Sequence, residues 1–232
     1  MDYSYAILEN RIKENIEMKC VLMSDTHGIH EEVINGKSVS LKIPDGDVLV
    51  HCGDFSNRGT YLDVINFSNF LGLLPHKSKY VVGGNHDEFV EQDFNASQSL
   101  LTEAVLFTHH KFNIGNISCF ASSYQPFYNN WSFNIKDDSK RKELFAMIPN
   151  ETEMLFSHCP PYGFLDKGFK EAHAGDKMLM GRIRELKKLK YVVFGHLHNN
   201  YGKIEQDGIT YINCSLLNDR YELVNKPVIL EV

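Results

Sequence analysis

The chain reads as an α/β protein, and three features of the sequence say so. Five short apolar runs each end on a polar motif, the pattern of buried strands feeding loops. Helix-period stretches lie between several of them, so strands and helices alternate as in a sheet with crossovers. An Asp207-Gly208 turn between two later apolar runs then marks a hairpin and suggests a second sheet.

The elements follow in order. Tyr5 to Met18 sets Ile7, Leu8, Ile12 and Ile16 among charges and predicts a helix. It is read as an appendage over 1–18 to a single domain over 19–232. Cys20 to Met23 is the first strand run and leads to Asp25 and His27. Val48 to Val50 leads to Asp54. Leu62, Ile65, Phe67, Phe70, Leu71 and Leu74 then recur at helical spacing, up to Pro75. Tyr80 to Val82 leads to Asn85 and His86. Ala104 to Phe107 and Ile117 to Ala121 predict strands in the middle. Ser139 to Ile148 predicts a helix. Met154 to Phe156 leads to His158. Lys177 to Leu189 predicts another helix. Tyr191 to Phe194 leads to His196 and His198. Tyr201 to Glu205 and Ile209 to Asn213 form the hairpin, and Val228 to Val232 is a last strand.

Composition narrows the function. The chain has 232 residues, ample for one domain with a sizeable core. Its formal net charge of −6 supplies no field for a polyanion, so long nucleic acid is not an expected partner. Five cysteines without a CxxC pair read as reduced thiols, which places the protein in the cytoplasm. No stretch is apolar enough for a membrane span, and no membrane partner is expected.

The motifs carry the chemistry. They are Asp25-Thr-His27, Gly53-Asp54 with Asn57 and Arg58, Gly84-Asn85-His86-Asp87, Ser157-His158 and Gly195-His196-Leu-His198. Each has a bland reading alone. Asp25 suits a helix N-cap, Asp54 and Asn85 suit turns, and a lone histidine such as His158 is usually part-buried. If the Tyr191 to Phe194 strand continues, His196 and His198 share a face. Together the motifs fall beyond the carboxyl ends of five strands, where open α/β sheets bind ligands. Oxygen and imidazole donors gathered there suit a pair of hard or borderline divalent cations, which activate water against phosphoesters. Trp131, Tyr124, Phe127 and Phe133 read first as core, with base stacking as the minor alternative. His173 reads as a surface or capping residue.

At this point the sequence resembles the calcineurin-like metallophosphoesterases, whose motifs DxH, GDxxxR, GNH[DE], a later His and GHxH all occur in order. Further stretches resemble the MPPED-like subgroup and its bacterial relatives. They include Leu74-Pro75-His76-Lys77, Ser123-Tyr-Gln125-Pro126 and His158-Cys-Pro-Pro-Tyr-Gly163-Phe-Leu165-Asp166. The resemblance implies a four-layer αββα sandwich with two mixed sheets. It implies that Asp25, His27 and His198 bind one metal and that Asn85, His158 and His196 bind a second, with Asp54 bridging. It makes His86 the acid near the leaving group and sets Arg58 on a phosphate oxygen. Asn57, His86 and Arg58 would meet the substrate. Asn57 stands where phosphoprotein phosphatases of the superfamily carry Asp, which argues against that activity.

The expected protein is therefore a dinuclear-metal hydrolase of phosphoesters. Mn²⁺ is the first choice, and Fe, Zn²⁺ or Co²⁺ would suit the same ligands. A hydroxide held between the metals would attack phosphorus in line. The favoured substrates are small phosphodiesters such as cyclic nucleotides. A phosphomonoesterase or nuclease of the same superfamily is the alternative, and a non-catalytic scaffold a more distant one.

Overall fold

The computed structural model describes residues 17–30 and 41–232. All but the last two residues of the expected appendage lie outside them. Met18 exchanges main-chain hydrogen bonds with Val232, so it already extends a strand ladder.

Thirteen strands are found among the described residues. They are β1 (Lys19–Met23), β2 (Val48–His51), β3 (Ser78–Val82), β4 (Val105–Phe107), β5 (His109–Ile114), β6 (Ile117–Ser122), β7 (Gln125–Pro126), β8 (Asn134–Ile135), β9 (Met154–Ser157), β10 (Tyr191–Phe194), β11 (Gly202–Gln206), β12 (Ile209–Asn213) and β13 (Val228–Glu231). One sheet has the order β13-β1-β2-β3-β4, the other β11-β12-β10-β9-β6-β5. Each is parallel at its centre; β13 joins the first antiparallel at one margin, and β11 and β5 join the second antiparallel at both. β7 and β8 pair separately.

The layers follow from strand periodicity, because successive side chains point to opposite faces. Cys20, Leu22, Val48, Val50 and Val82 of the first sheet face Cys119, Ala121, Met154, Phe156, Val193 and Ile212 of the second. The alternate residues Val21, Met23, Leu49 and Val81 turn outward onto Val64, Phe67, Phe70 and Leu71 of helix α1 (Tyr61–Gly72). On the far side, Phe120, Leu155, Val192, Phe194 and Tyr211 turn outward. They pack on Phe145 of one helix and on Leu179, Met180 and Ile183 of another. Three apolar interfaces thus separate four layers, helix, sheet, sheet and helix, as the resemblance implied.

Short helices α2 (Glu88–Gln92) and α3 (Phe94–Leu100) follow the third motif. Helices α4 (Asp138–Ala146) and α5 (Lys177–Ile183) carry Phe145 and the Leu179 group. Arg141 of α4 donates from Nε to the buried Asp176, the N-cap of α5, at 3.0 Å. A capping box between Thr60 and Asp63 starts α1, a device worth about 1 kcal/mol. The helix expected to run from Lys177 to Leu189 stops at Ile183. Leu186 and Leu189 stay buried from turns, so their spacing reflected packing and not helix. β10 also ends sooner than the GHxH reading assumed. His196 adopts φ 68° and His198 opens a 3₁₀ turn, so the two imidazoles are set by a turn and not by strand alternation. Among the described residues no helix is long and apolar enough to cross a membrane.

Candidate active site

The central strands of both sheets end at one edge of the sandwich. A parallel bridge between Ser24 and Ser215 joins the sheets there, and the Leu216 N–H donates to the Ser24 carbonyl at 3.0 Å. The turns leaving β1, β2, β3, β9 and β10 therefore converge. Close approach demands glycine at several of them. A Cβ on Gly84 would run into the main-chain nitrogen and carboxylate of Asp54, and one on Gly195 into Ser24 and Asp25. Asp25, His27, Asp54 and His196 all hold left-handed φ values, of 55°, 40°, 56° and 68°. Such backbone is costly for residues with a Cβ and persists where the surroundings impose it.

Seven predicted ligand residues meet at this edge. His27 and His198 bring their Nε2 atoms to 3.2 Å. Asp25 Oδ1 lies 3.4 Å from His198 Nε2. His158 Nε2 lies 2.9 Å from Asn85 Oδ1 and 3.2 Å from His196 Nδ1. Asp54 Oδ2 stands between the groups, 3.7 Å from His27 Nε2 and 3.3 Å from His158 Nε2. All seven are buried or nearly so. The far nitrogens of two histidines are committed elsewhere. His158 Nδ1 donates to the Cys52 carbonyl at 2.9 Å, and His198 Nδ1 to the Asn218 carbonyl at 3.0 Å. That fixes which ring edge faces the cluster, the arrangement metal-binding histidines use.

The electrostatics agree. Burial disfavours ionised Asp25, yet the hydrogen bond and charge of His198 hold its carboxyl below the ordinary range. Burial likewise opposes ionisation of Asp54, and His158 outweighs it. Burial lowers the basicity of His158 and His198, but Asp54 and Asp25 outweigh it and hold them up to about 10 and about 9. Burial pushes His27 down to about 4 and His196 to about 3. The two carboxylates thus call for positive charge where electron-rich atoms already crowd together.

His86 sits beside this cluster. Its N–H donates to Asp54 Oδ1 at 2.8 Å, and its Nδ1 donates to the main-chain carbonyl of Asn57 at 3.2 Å. The backbone of Asn57 holds the imidazole, and its side chain is exposed. Arg58 is exposed on the same turn, and no described residue pairs with its guanidinium.

Three residues were missed in the sequence. Asp87 is buried and ties two motifs together. It accepts the N–H groups of Asp54, Ser56 and Gly84 at 2.8–3.0 Å, and the Ser56 hydroxyl at 2.8 Å. Burial and the Asp54 charge push it up to about 7 against the pull of those donors. Its place in Gly-Asn-His-Asp was the available signal. Ser215 donates its hydroxyl to Asp25 Oδ2 at 2.7 Å. Tyr221 stands over His27 and His198 with ring centroids 4.8 and 5.5 Å away. Ser215 ends a stretch, Tyr211-Ile-Asn213-Cys-Ser215, that shares the resemblance without a role attached, and nothing in the sequence marked Tyr221. Asp87→Ala is expected to strand buried donors at about 1–3 kcal/mol each. Urea unfolding of the metal-free protein checks this, through a lowered midpoint at unchanged slope.

The family model for calcineurin-like phosphoesterases matches residues 18–200. The chain belongs to that family. It is 29% identical to metallophosphoesterase domain-containing protein 1 of Homo sapiens over 236 residues, covering 91% of this chain and 70% of that protein. It is 31% identical to UPF0046 protein T07D4.2 of Caenorhabditis elegans, covering 82% of this chain and 56% of that protein. Among solved structures, the phosphopantetheinyl hydrolase PptH of Mycobacterium tuberculosis superposes with a TM-score of 0.57 at 16% identity. That match covers 92% of this chain and 95% of that one, and shows the shared fold. Calcineurin-like phosphoesterases hydrolyse phosphoesters and typically bind divalent metals. The residues here fit such ions. Asp25, His27 and His198 offer donor atoms within 4.8 Å of one another, as do Asp54, His158 and His196.

Proposed function

We propose that the chain is a two-metal phosphodiesterase acting on small diesters, cyclic nucleotides among them. The observation that carries this reading is the position of Asp54, whose single Oδ2 reaches toward both histidine groups. Asp25, His27 and His198 would hold one ion, and Asn85, His158 and His196 the other. Mn²⁺ is favoured, and Fe, Zn²⁺ or Co²⁺ suit the same oxygen and imidazole donors. The ions would supply an activated water and neutralise charge on the phosphoryl oxygens.

The chain's own residues do the rest. Nδ1 of His86 is engaged by the Asn57 carbonyl, so the proton it delivers to the leaving oxygen resides on Nε2. Arg58, exposed on the neighbouring turn, meets a phosphoryl oxygen through charge-assisted hydrogen bonds. Asp87 keeps the turns of Asp54 and His86 in register. The five cysteines are free and buried, which fits the reducing cytoplasm proposed as its location.

Diesters are expected over monoesters. The net charge of −6 does not favour the extra charge of a monoester or the polyanion of long DNA. The Mn²⁺-loaded protein is expected to show higher kcat/KM for bis-p-nitrophenyl phosphate than for p-nitrophenyl phosphate. The reverse order would assign a phosphomonoesterase, and efficient cleavage of long DNA at physiological salt a nuclease.

A further inference from the structure

Four rings stand in a row across the site. Trp131, His86, His27 and Tyr221 follow one another with centroid spacings of 4.1, 4.6 and 4.8 Å. The middle two belong to the proposed chemistry. The outer two come from loops that the reaction does not yet use, and both are exposed, Trp131 by 40% and Tyr221 by 49%. We propose that Trp131 is a stacking platform for a planar ring on the leaving arm of the substrate. The site would then favour phosphoesters of nucleosides and aryl alcohols over those of aliphatic alcohols. This rests on the reading that His86 protonates the leaving oxygen, because a ring packed on that acid lies on the leaving side. Tyr221 bounds the opposite end of the row.

The loop between β7 and β8 is built to hold the indole in place. The Ser132 N–H donates to the Asn85 carbonyl at 3.2 Å, and the Phe133 N–H to Glu91 Oε1 at 2.8 Å. Phe133 is buried against Gly83. The Asn134 amide takes the Gln125 side chain at 3.0 Å and donates to the carbonyls of Tyr128 and Asn129. A ring carried on an anchored loop loses little freedom when a ligand covers it. Of the rings on this stretch Phe133 is buried in the core, whereas core packing does not account for the exposed ones. Phe127, Tyr128 and Trp131 are all exposed, and Trp131 brings its ring against His86 of the catalytic turn. Aromatic surfaces of this kind stack bases with little regard to sequence.

The test compares adenosine 5′-monophosphate with ribose 5-phosphate, which differ by the planar ring. Binding to metal-loaded protein is measured by calorimetry. Trp131 is the chain's one tryptophan, so wild-type fluorescence reports contact at the ring itself. The adenine compound is expected to quench it and to bind roughly five- to a hundred-fold tighter, the usual range for one stacked base. Trp131→Leu keeps an apolar cover on His86 but removes the π-face. It is expected to erase that ratio and leave ribose 5-phosphate binding unchanged, and Trp131→Phe to restore part of it. Equal binding of the two compounds by wild type, or equal losses in Trp131→Leu, overturns the platform and leaves phosphoester hydrolysis standing. If neither compound binds and no phosphoester turns over, the proposed function falls and the platform with it.

Discussion

Asp54→Asn is expected to cost more activity than loss of any terminal ligand. Its Oδ2 lies within 3.7 Å of the donor atoms of both histidine groups, and its Oδ1 accepts the His86 N–H. One substitution therefore removes charge from both proposed ion positions and disturbs the turn of the proposed acid. Removing one preorganised electrostatic group commonly costs about a hundred- to a thousand-fold in kcat. The Asp54→Asn loss is expected to exceed that range, with metal content after Mn²⁺ loading falling below two per chain. His198→Ala provides the comparison, since it touches only the Asp25 group. Full activity in a chain holding at most one ion would sink the dinuclear arrangement.

His86→Ala is expected to act on chemistry instead. The imidazole lies close enough to His27 and Asp54 to compete for a ligand role. Metal content and leaving-group dependence separate the two. As an acid, His86 matters most when the departing alkoxide is a strong base. The variant should hold its metal while kcat for alkyl esters drops by about a hundred- to ten-thousand-fold, and p-nitrophenyl esters should suffer less. Equal losses for both ester classes, or loss of metal, would assign His86 to the ligand set.

Much of this arrangement could be read from the residues, and the rest could not for definite reasons. The strands announced themselves because both sheets are buried on both faces, which forces runs such as Val48 to Val50 and Tyr191 to Phe194 to be apolar throughout. Their motifs then had to lie where the parallel strands end. Helices α2 and α3 gave no such signal. Phe-Asn-Ala-Ser-Gln-Ser-Leu is mostly polar, and its helix starts from the Asp93 cap and not from an apolar stripe. The His196 turn was hidden because a left-handed φ on a histidine leaves no mark in a single sequence. Tyr221 was hidden for a related reason. It sits in an irregular stretch after β12, where the Asn218 side chain accepts the N–H groups of Arg220 and Glu222. Side-chain-to-backbone bonds of that sort have no periodicity to detect. Trp131 and Phe127 were expected first in the core, yet both are exposed, while Phe133 of the same stretch is buried.

The Ser24–Ser215 bridge bears on how the protein reaches its native state. Contacts that build the site join residues as far apart as 171 positions, as between His27 and His198, and 190 between Asp25 and Ser215. Closing such distances costs chain entropy before any contact rewards it, and topologies of this kind fold slowly. The donor cluster is therefore a late product of folding. A nascent chain could form the β1-β2-β3 crossover early, but it could not close the His27–His198 contact until β10 and β12 were in place. An ion that binds only the finished cluster would pull the last docking step forward by mass action, so its availability would act on folding yield as well as on turnover.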